Sequence, residues 1–195
     1  MKFLAILLGI LIFLTGCNSL EKNLVKLKSP SSVDRCEAIL WLYNNVKTET
    51  TQKLVMDALY RDSSPGVRSL AVRLLGIENS EEYLTPLETS LNDPSALVRM
   101  EVVQSLGSMH AKQSVPKLLK MLEVETDKTV RLKILKTLQY IRAKESVPVL
   151  IERLEDEEPA VRLQALLLLK YFTKQSLGID KEPWQKWYES QVKTD

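Results

Sequence analysis

The feature that most constrains this chain is a row of five evenly spaced arginines, Arg35, Arg68, Arg99, Arg131 and Arg162, at intervals of 33, 31, 32 and 31 residues. We call these the motif arginines and number other positions from them. Position +3 is always a small or β-branched apolar residue, and position +7 is always leucine. A sequence period of about 32 with helical spacing is typical of stacked helical hairpins, which bury their apolar faces only against neighbouring repeats. The row therefore predicts an all-α solenoid that acts as a binding scaffold.

A second apolar stretch lies between successive arginine-led helices. Three of these stretches carry a proline near their start, at Pro86, Pro116 and Pro148. Proline is tolerated in the first turn of a helix because its missing N–H has no intrahelical partner there. Each repeat is therefore predicted to be a short helix, a turn and an arginine-led helix. No segment alternates with period 2, so no sheet is expected.

The turns before the arginines are acidic and carry prolines, and here a family resemblance appears. Residues 62–76 read Asp-x-x-Pro-x-Val-Arg, continuing as Arg-x-x-Ala-x-x-x-Leu-Gly. This pattern resembles the HEAT repeat, in the short form also found in phycobilisome lyase-type proteins. The resemblance covers about residues 25–172 and implies an α-solenoid of about five HEAT-like hairpins, which we place at residues 24–175.

The same resemblance implies a hydrogen-bonded ladder between adjacent repeats, formed by turn aspartates and helix arginines. The matching pairs are Asp62/Arg68, Asp93/Arg99, Asp127/Arg131 and Asp156/Arg162. Asp127 departs from the pattern, because it stands only four residues before its arginine. The first repeat departs further, with Asp34 in the usual valine position. An anion-binding row is the alternative, but a packing motif already explains these charges, since a partly buried charge must be paired.

The N-terminus predicts export. Residues 1–16 begin with Met1-Lys2 and continue in an apolar run shorter than the roughly 20 residues that span a bilayer. The segment Leu14-Thr15-Gly16-Cys17 resembles the lipobox of bacterial lipoproteins, which implies cleavage before Cys17 and diacylglycerol on its sulfur. An ordinary signal peptide or an uncleaved N-terminal helix is the alternative. Residues 17–23 are then a short tether that holds the solenoid within roughly 20 Å of the bilayer.

The lipobox resemblance also implies a location in the cell envelope. In many Gram-negative bacteria an aspartate after the lipidated cysteine retains lipoproteins in the inner membrane. Asn18 stands at that position here. The expected location is therefore the outer membrane if the host is Gram-negative.

The sequence offers no catalytic constellation. His110 is the single histidine, and there is no Gly-rich phosphate loop and no Cys-x-x-Cys pair. Cys36 is expected to be a small core residue rather than a reactive thiol. A formal charge of +2 disfavours a nucleic-acid surface. We therefore expect no enzyme activity, cofactor, metal or nucleic acid. A lyase-like or accessory enzyme of the HEAT group is the alternative.

Binding is expected on the arginine-led helices, which line the concave side in HEAT proteins. Positions +2, +5, +6 and +9 should project outward from these helices. The polar middle of this row is Arg73, Gln104, Lys133, Lys136 and Tyr140. It suits a polar or acidic peptide of an unidentified protein partner. A merely solvated face is the alternative.

Residues 176–195 break the repeat pattern and are expected to cap the last repeat. Trp184, Trp187 and Tyr188 share one face of a predicted helix and are expected to pack on Leu167 and Leu168. An aromatic docking patch is the alternative. The combined prediction is a membrane-anchored protein-interaction scaffold, with a purely structural component of an envelope complex as a further possibility.

Overall fold

The computed structural model describes residues 19–192, and all regular secondary structure within that range is helical. The helices are α1 (19–26), α2 (Ser32–Asn45), α3 (Glu49–Arg61), α4 (Pro65–Glu78), α5 (Leu84–Thr89), α6 (Ala96–Ser108), α7 (Val115–Val124), α8 (Lys128–Tyr140), α9 (Val147–Glu152), α10 (Pro159–Thr173) and α11 (Lys181–Val192). Short 3-10 segments lie at Glu81–Tyr83, Ser90–Asn92, Lys112–Ser114, Lys144–Ser146 and Arg153–Glu155. The predicted all-α class is confirmed. The predicted signal segment and Cys17 lie outside the described residues.

The chain forms two compact units, which meet along the sequence between Leu74 and Leu75, within α4. The first unit contains α1, α2, α3 and most of α4, and the second contains all later helices. The predicted core positions +3 and +7 of all five repeats are buried. They are Ala38, Leu42, Ala71, Leu75, Val102, Leu106, Ile134, Leu138, Ala165 and Leu169.

The first unit is built on the α2–α3 hairpin. Hydroxyl side chains fix both helix starts: Ser31 accepts a hydrogen bond from the N–H of Asp34, and Thr48 accepts one from the N–H of Thr51. Such caps satisfy backbone donors that have no partner inside the helix. Val55 and Leu59 of α3 are buried together with the core residues of α2.

Helix α1 includes part of the segment that was predicted to be an extended tether. Residues 19–23, which were predicted to belong to the tether, are helical. Lys26 at the end of α1 forms an ion pair of 2.6 Å with Glu37 of α2, so α1 is attached to the first repeat. A helix rises only about 1.5 Å per residue, against at most about 3.6 Å for an extended chain. The described part of the predicted tether is therefore shorter than expected.

In the second unit, three hairpins follow one another: α5–α6, α7–α8 and α9–α10. The arginine-led helices pack in sequence, α6 against α8 and α8 against α10. Pro116 and Pro148 lie in the first turns of α7 and α9, where their missing N–H groups cost no hydrogen bond. The second unit thus places α6, α8 and α10 side by side in one layer.

Two glycines at position +8 set how closely these helices approach. A Cβ added to Gly76 would lie 2.6 Å from the Cβ of Ser105, and one added to Gly107 would lie 3.1 Å from Cγ2 of Thr137. Ser105 and Thr137 stand at position +6 of the following repeat and are buried. The prediction that +6 residues project outward is therefore wrong, because this position faces the preceding helix.

Candidate partner-binding site

Every motif arginine holds the turn that precedes its own helix. In all five repeats one terminal nitrogen, Nη1, donates to the backbone carbonyls at positions −6 and −5, at distances between 2.7 and 3.3 Å. A backbone carbonyl is present whatever the side chain, so this contact tolerates sequence variation in the turn. These hydrogen bonds fix the path of the backbone as it enters each arginine-led helix.

Some motif arginines, Arg35, Arg99 and Arg131 among them, also reach the turn of the next repeat. Arg35 forms two hydrogen bonds of 2.8 Å with the carboxylate of Asp62. Arg99 forms two of 2.7 Å with Glu125. Arg131 donates to Asp156 at 3.1 Å and to a glutamate beside it at 3.0 Å. Each guanidinium therefore joins two successive turns, as a ladder requires.

The ladder uses Glu125 instead of the predicted Asp127. Glu125 stands at position −6 of its repeat, the position that Asp62, Asp93 and Asp156 occupy in theirs. Asp127 instead caps α8, and its side chain accepts the N–H groups of Thr129 and Val130. The prediction for Asp127 is therefore corrected, because a carboxylate two residues nearer to α8 meets the helix N-terminus instead of the preceding arginine.

The predicted pairs within one repeat contact each other through the backbone of the aspartate. Arg68, Arg99 and Arg162 donate to the carbonyl oxygens of Asp62, Asp93 and Asp156. The carboxylates of these aspartates accept the N–H two residues further along. These hydrogen bonds within the turn stabilise it independently of the arginines.

Burial and charge act in opposite directions on the ladder carboxylates. Burial alone would raise the pKa of Asp62 and of Glu125. The hydrogen bonds from Arg35 and Arg99, together with a backbone N–H at each site, outweigh burial and hold both pKa values below their ordinary range. Arg35 and Arg99 are therefore engaged in joining repeats.

The residues predicted for the concave row fall into both units. Arg73, in the first unit, is exposed beside a groove between α2 and α4 that Cys36 also lines. In the second unit Gln104 and Lys136 are exposed, and the half-buried Lys133 donates to the amide oxygen of Gln104 at 3.0 Å. Burial raises the pKa of the Cys36 thiol, which makes it less reactive.

Tyr140 is the aromatic residue of the predicted concave row and lies in the second unit. It is 60% exposed, and its ring stacks on the ring of His110 at a centroid distance of 4.8 Å. His110 is thus placed at the end of α6, next to α8. The stacking holds an exposed tyrosine in a fixed orientation.

Helix α10 adds exposed residues outside the predicted polar row. Leu163, Leu167 and Tyr171 are exposed by 55, 50 and 41%, and their spacing of four places them on one face. The Lys174 ammonium lies 4.9 Å from the centre of the Tyr171 ring. The sequence signal was the mixture of leucine and tyrosine at positions +1, +5 and +9. Of these three residues, only Leu167 was expected to pack under the C-terminal cap.

These residues stand on two helices that pack against each other, and the charge of this pair of helices is unusual. We call this group of residues the α8–α10 face and define it by Lys133, Lys136, Tyr140, Leu163, Leu167 and Tyr171. Neither α8 nor α10 contains an aspartate or glutamate. The neighbouring α6 contains only Glu101, which is buried. The exposed charges on this layer of the second unit are therefore positive.

The C-terminal helix covers a different part of the last repeat from the one expected. Trp184 is fully buried and its indole N–H donates to the carbonyl of Gly178 at 3.0 Å. Lys181 binds Glu152 at 2.6 Å, and α11 packs against α9. Leu167 remains half exposed, so the expectation that it packs under the cap is wrong. Trp187 and Tyr188 are half-buried.

Two further features concern residues 19–192. Within this range no three histidine, cysteine or acidic side chains are grouped so that they could hold a metal ion. None of the helices in the same range combines the length and apolar character needed to cross a membrane.

Solved structures share this fold. The chain resembles a structure of the CpcE–CpcF complex of phycocyanin lyase from Nostoc sp., with a TM-score of 0.60 and 23% identity over 80% of this chain and 65% of that one. It also resembles E. coli YibA, with a TM-score of 0.65 and 15% identity over 84% and 63% of the two chains. The chain thus spans slightly less than two thirds of the length of either structure. At these identities the likeness concerns the fold alone.

The family itself is shown by sequence. No curated protein matches the chain significantly. The family model described as HEAT repeats matches residues 20–107 and 115–176, which together make up well over half of the chain. The matched ranges contain all five motif arginines. The chain therefore belongs to the HEAT-repeat family.

Proposed function

We propose that this protein is a membrane-anchored HEAT-repeat scaffold of the cell envelope that binds a protein partner through the α8–α10 face. The observation that carries the proposal is the charge of this face, on which the exposed Lys136, the half-buried Lys133 and two exposed tyrosines stand on two helices that contain no carboxylate. A surface of one charge sign attracts a partner of the opposite sign and speeds its association. The expected partner surface is therefore acidic.

The anchoring part of the proposal rests on the N-terminal sequence. Leu14-Thr15-Gly16-Cys17 resembles a lipobox, and α1 begins at or before residue 19. A lipid on Cys17 would therefore hold the first repeat close to the bilayer. Asn18 favours the outer membrane in a Gram-negative host. Replacing Cys17 with serine should abolish incorporation of labelled fatty acid, and density-gradient fractionation of membranes should locate the intact protein. Labelling that persists in the Cys17→Ser protein would contradict the anchor.

A non-enzymatic role belongs to the same proposal. The lone His110 is exposed and stacked on Tyr140, with no second histidine in the chain to complete a metal site. The likeness to phycocyanin lyase subunits raises an accessory enzyme as the competing function. That function requires a bound chromophore or metal. The absorbance spectrum and metal content of the protein purified from its host test this point, and a stoichiometric chromophore would favour the lyase-like role.

Crosslinking in intact cells tests the binding function. Partners crosslinked to the full-length protein are identified by mass spectrometry in the wild type and in a Lys133→Glu/Lys136→Glu variant. The matched control is Lys112→Glu/Lys120→Glu, which makes the same charge change at exposed lysines of α7 and the 3-10 turn before it. We expect the first variant to lose a partner that the control retains. Equal recovery of every partner by both variants would remove the α8–α10 face from the proposal.

A further inference from the structure

The α8–α10 face has two chemical halves at equivalent positions. Leu163, Leu167 and Tyr171 of α10 each have a counterpart 31 residues earlier on α8, the interval between the motif arginines of these repeats. The counterpart of Leu167 is Lys136, and that of Tyr171 is Tyr140. Because α10 packs against α8, a cationic side chain and an exposed leucine occupy equivalent positions on neighbouring helices. The same face thus offers a charged half and an apolar half.

The distance between the two halves matches the length of a few residues of an extended peptide. Packed helices lie about 8 to 10 Å apart, and equivalent positions on them are separated by about that distance. A chain in the extended polyproline II conformation rises about 3.1 Å per residue with three residues per turn, so side chains three positions apart lie on the same face and about 9 Å apart. A peptide that crosses α8 and α10 would therefore meet Lys136 and Leu167 with side chains about three positions apart.

Contacts already present hold both tyrosines of the face in place. Tyr140 is stacked on His110, and the Lys174 ammonium lies over the Tyr171 ring. Side chains that are ordered before binding lose less conformational entropy when a ligand arrives. Lys174 also places positive charge at the apolar half, so acidic residues are favoured along the whole peptide.

We infer that the α8–α10 face binds an extended acidic peptide of the partner in which a carboxylate and a bulky apolar side chain stand about three residues apart. The carboxylate pairs with Lys136 and Lys133, and the apolar side chain covers Leu167 between Leu163 and Tyr171. This inference rests on the proposed function and specifies the chemistry of its partner.

Peptide selection on the full-length protein tests the inference. Phage-displayed random dodecapeptides are selected, and the affinity of enriched peptides is measured by fluorescence anisotropy. We expect enriched sequences to combine an acidic residue with a leucine, phenylalanine or other large apolar residue about three positions away. Lys136→Glu should weaken binding by about tenfold or more, since it replaces attraction by repulsion, and Leu167→Ser by about fivefold.

Two matched variants on α7 control for general effects of charge and polarity. Lys120→Glu repeats the charge reversal, and Val124→Ser repeats the loss of an exposed apolar side chain, which is 75% exposed there. Both should retain peptide affinity. Circular dichroism melting of all four variants checks that each is folded, and Lys136→Glu tests the site independently should Leu167→Ser unfold.

The other outcomes separate this inference from the broader function. Enriched peptides without carboxylates, or peptides that bind Lys136→Glu at full strength, would overturn the inference while leaving a peptide-binding scaffold. Failure to enrich any peptide would overturn it as well, and the crosslinking experiment would then decide the scaffold function alone. Sedimentation with phosphatidylglycerol vesicles that Lys136→Glu abolishes, without acidic peptides in the selection, would assign the face to a membrane and overturn the inference.

Discussion

Arg99 and Glu125 form two parallel hydrogen bonds of 2.7 Å across 26 residues of sequence, and they join two successive repeats. The side chains are only 16% and 4% exposed. A paired arrangement of this kind combines charge with fixed geometry. Loss of one partner leaves the other charge buried, so the cost of breaking the pair is larger than that of losing an exposed ion pair.

The first prediction tests which acidic residue, Glu125 or Asp127, belongs to the ladder. Arg99→Ala and Glu125→Ala should each lower the free energy of unfolding by about 3 to 5 kcal/mol, because each leaves a buried charge without its partner. Asp127→Ala removes a helix cap and should cost only about 1 kcal/mol. Urea unfolding of the three variants measures the difference. An Asp127→Ala cost equal to that of Glu125→Ala would contradict the assignment of the ladder to Glu125.

The second prediction concerns the stability of the folded protein at acidic pH. Asp62 and Glu125 have pKa values below their ordinary 3.8 and 4.5, because the arginine hydrogen bonds outweigh burial. At acidic pH, near these pKa values, the unfolded chain therefore binds more protons than the folded protein. The stability from these groups is fully present above about pH 4.5 and is lost as the pH falls through the folded pKa values. Near neutral pH they contribute no pH dependence.

Urea unfolding between neutral pH and about pH 3 measures this loss. Glu125→Gln serves as the comparison, because its side chain cannot titrate. The variant should be less stable at neutral pH and should lose less stability on acidification than the wild type. A variant with the same acid slope as the wild type would show that Glu125 does not contribute to it.

The repeat architecture was predictable because it follows from apolar periodicity. Positions +3 and +7 are fixed by the identity of the side chains, and all of them are buried as expected. The ladder was less predictable, since each arginine binds backbone carbonyls, which leave no mark in the sequence. Counting six residues back from each arginine would have found Glu125. Counting instead from the nearest aspartate selected Asp127.

The candidate site was predictable only in part, for a similar reason. Lys136 and Tyr140 were identified by their place on a helix, but position +6 was assigned to the surface. The signal against that assignment was Gly76 or Gly107 at +8 of one repeat and a small Ser105 or Thr137 at +6 of the next. Small residues in register permit close approach of helices. Such an approach depends on tertiary packing, which the period alone does not specify.

The third prediction tests this close approach. Gly76→Ala should lower the free energy of unfolding by about 1 to 3 kcal/mol through overpacking against Ser105, despite the better helix propensity of alanine. A second substitution, Ser105→Gly, should recover part of the loss. Gly66→Ala is the control, since its added Cβ would meet only an ordinary contact of 3.5 Å. A Gly76→Ala protein as stable as the wild type in urea unfolding would contradict the packing.

The fourth prediction concerns the C-terminal helix, where Trp184 is fully buried and Trp187 is half-buried. Trp184→Ala should lower the free energy of unfolding by about 3 to 5 kcal/mol, because it leaves a large cavity between α11 and the last repeat. Trp187→Ala should cost distinctly less. Acrylamide quenching adds a second readout: Trp184→Phe should remove the least quenchable part of the fluorescence, whereas Trp187→Phe should remove a more accessible part. If Trp184→Phe instead removed the most quenchable emission, this ring would be exposed, and the aromatic segment would return as a candidate docking surface.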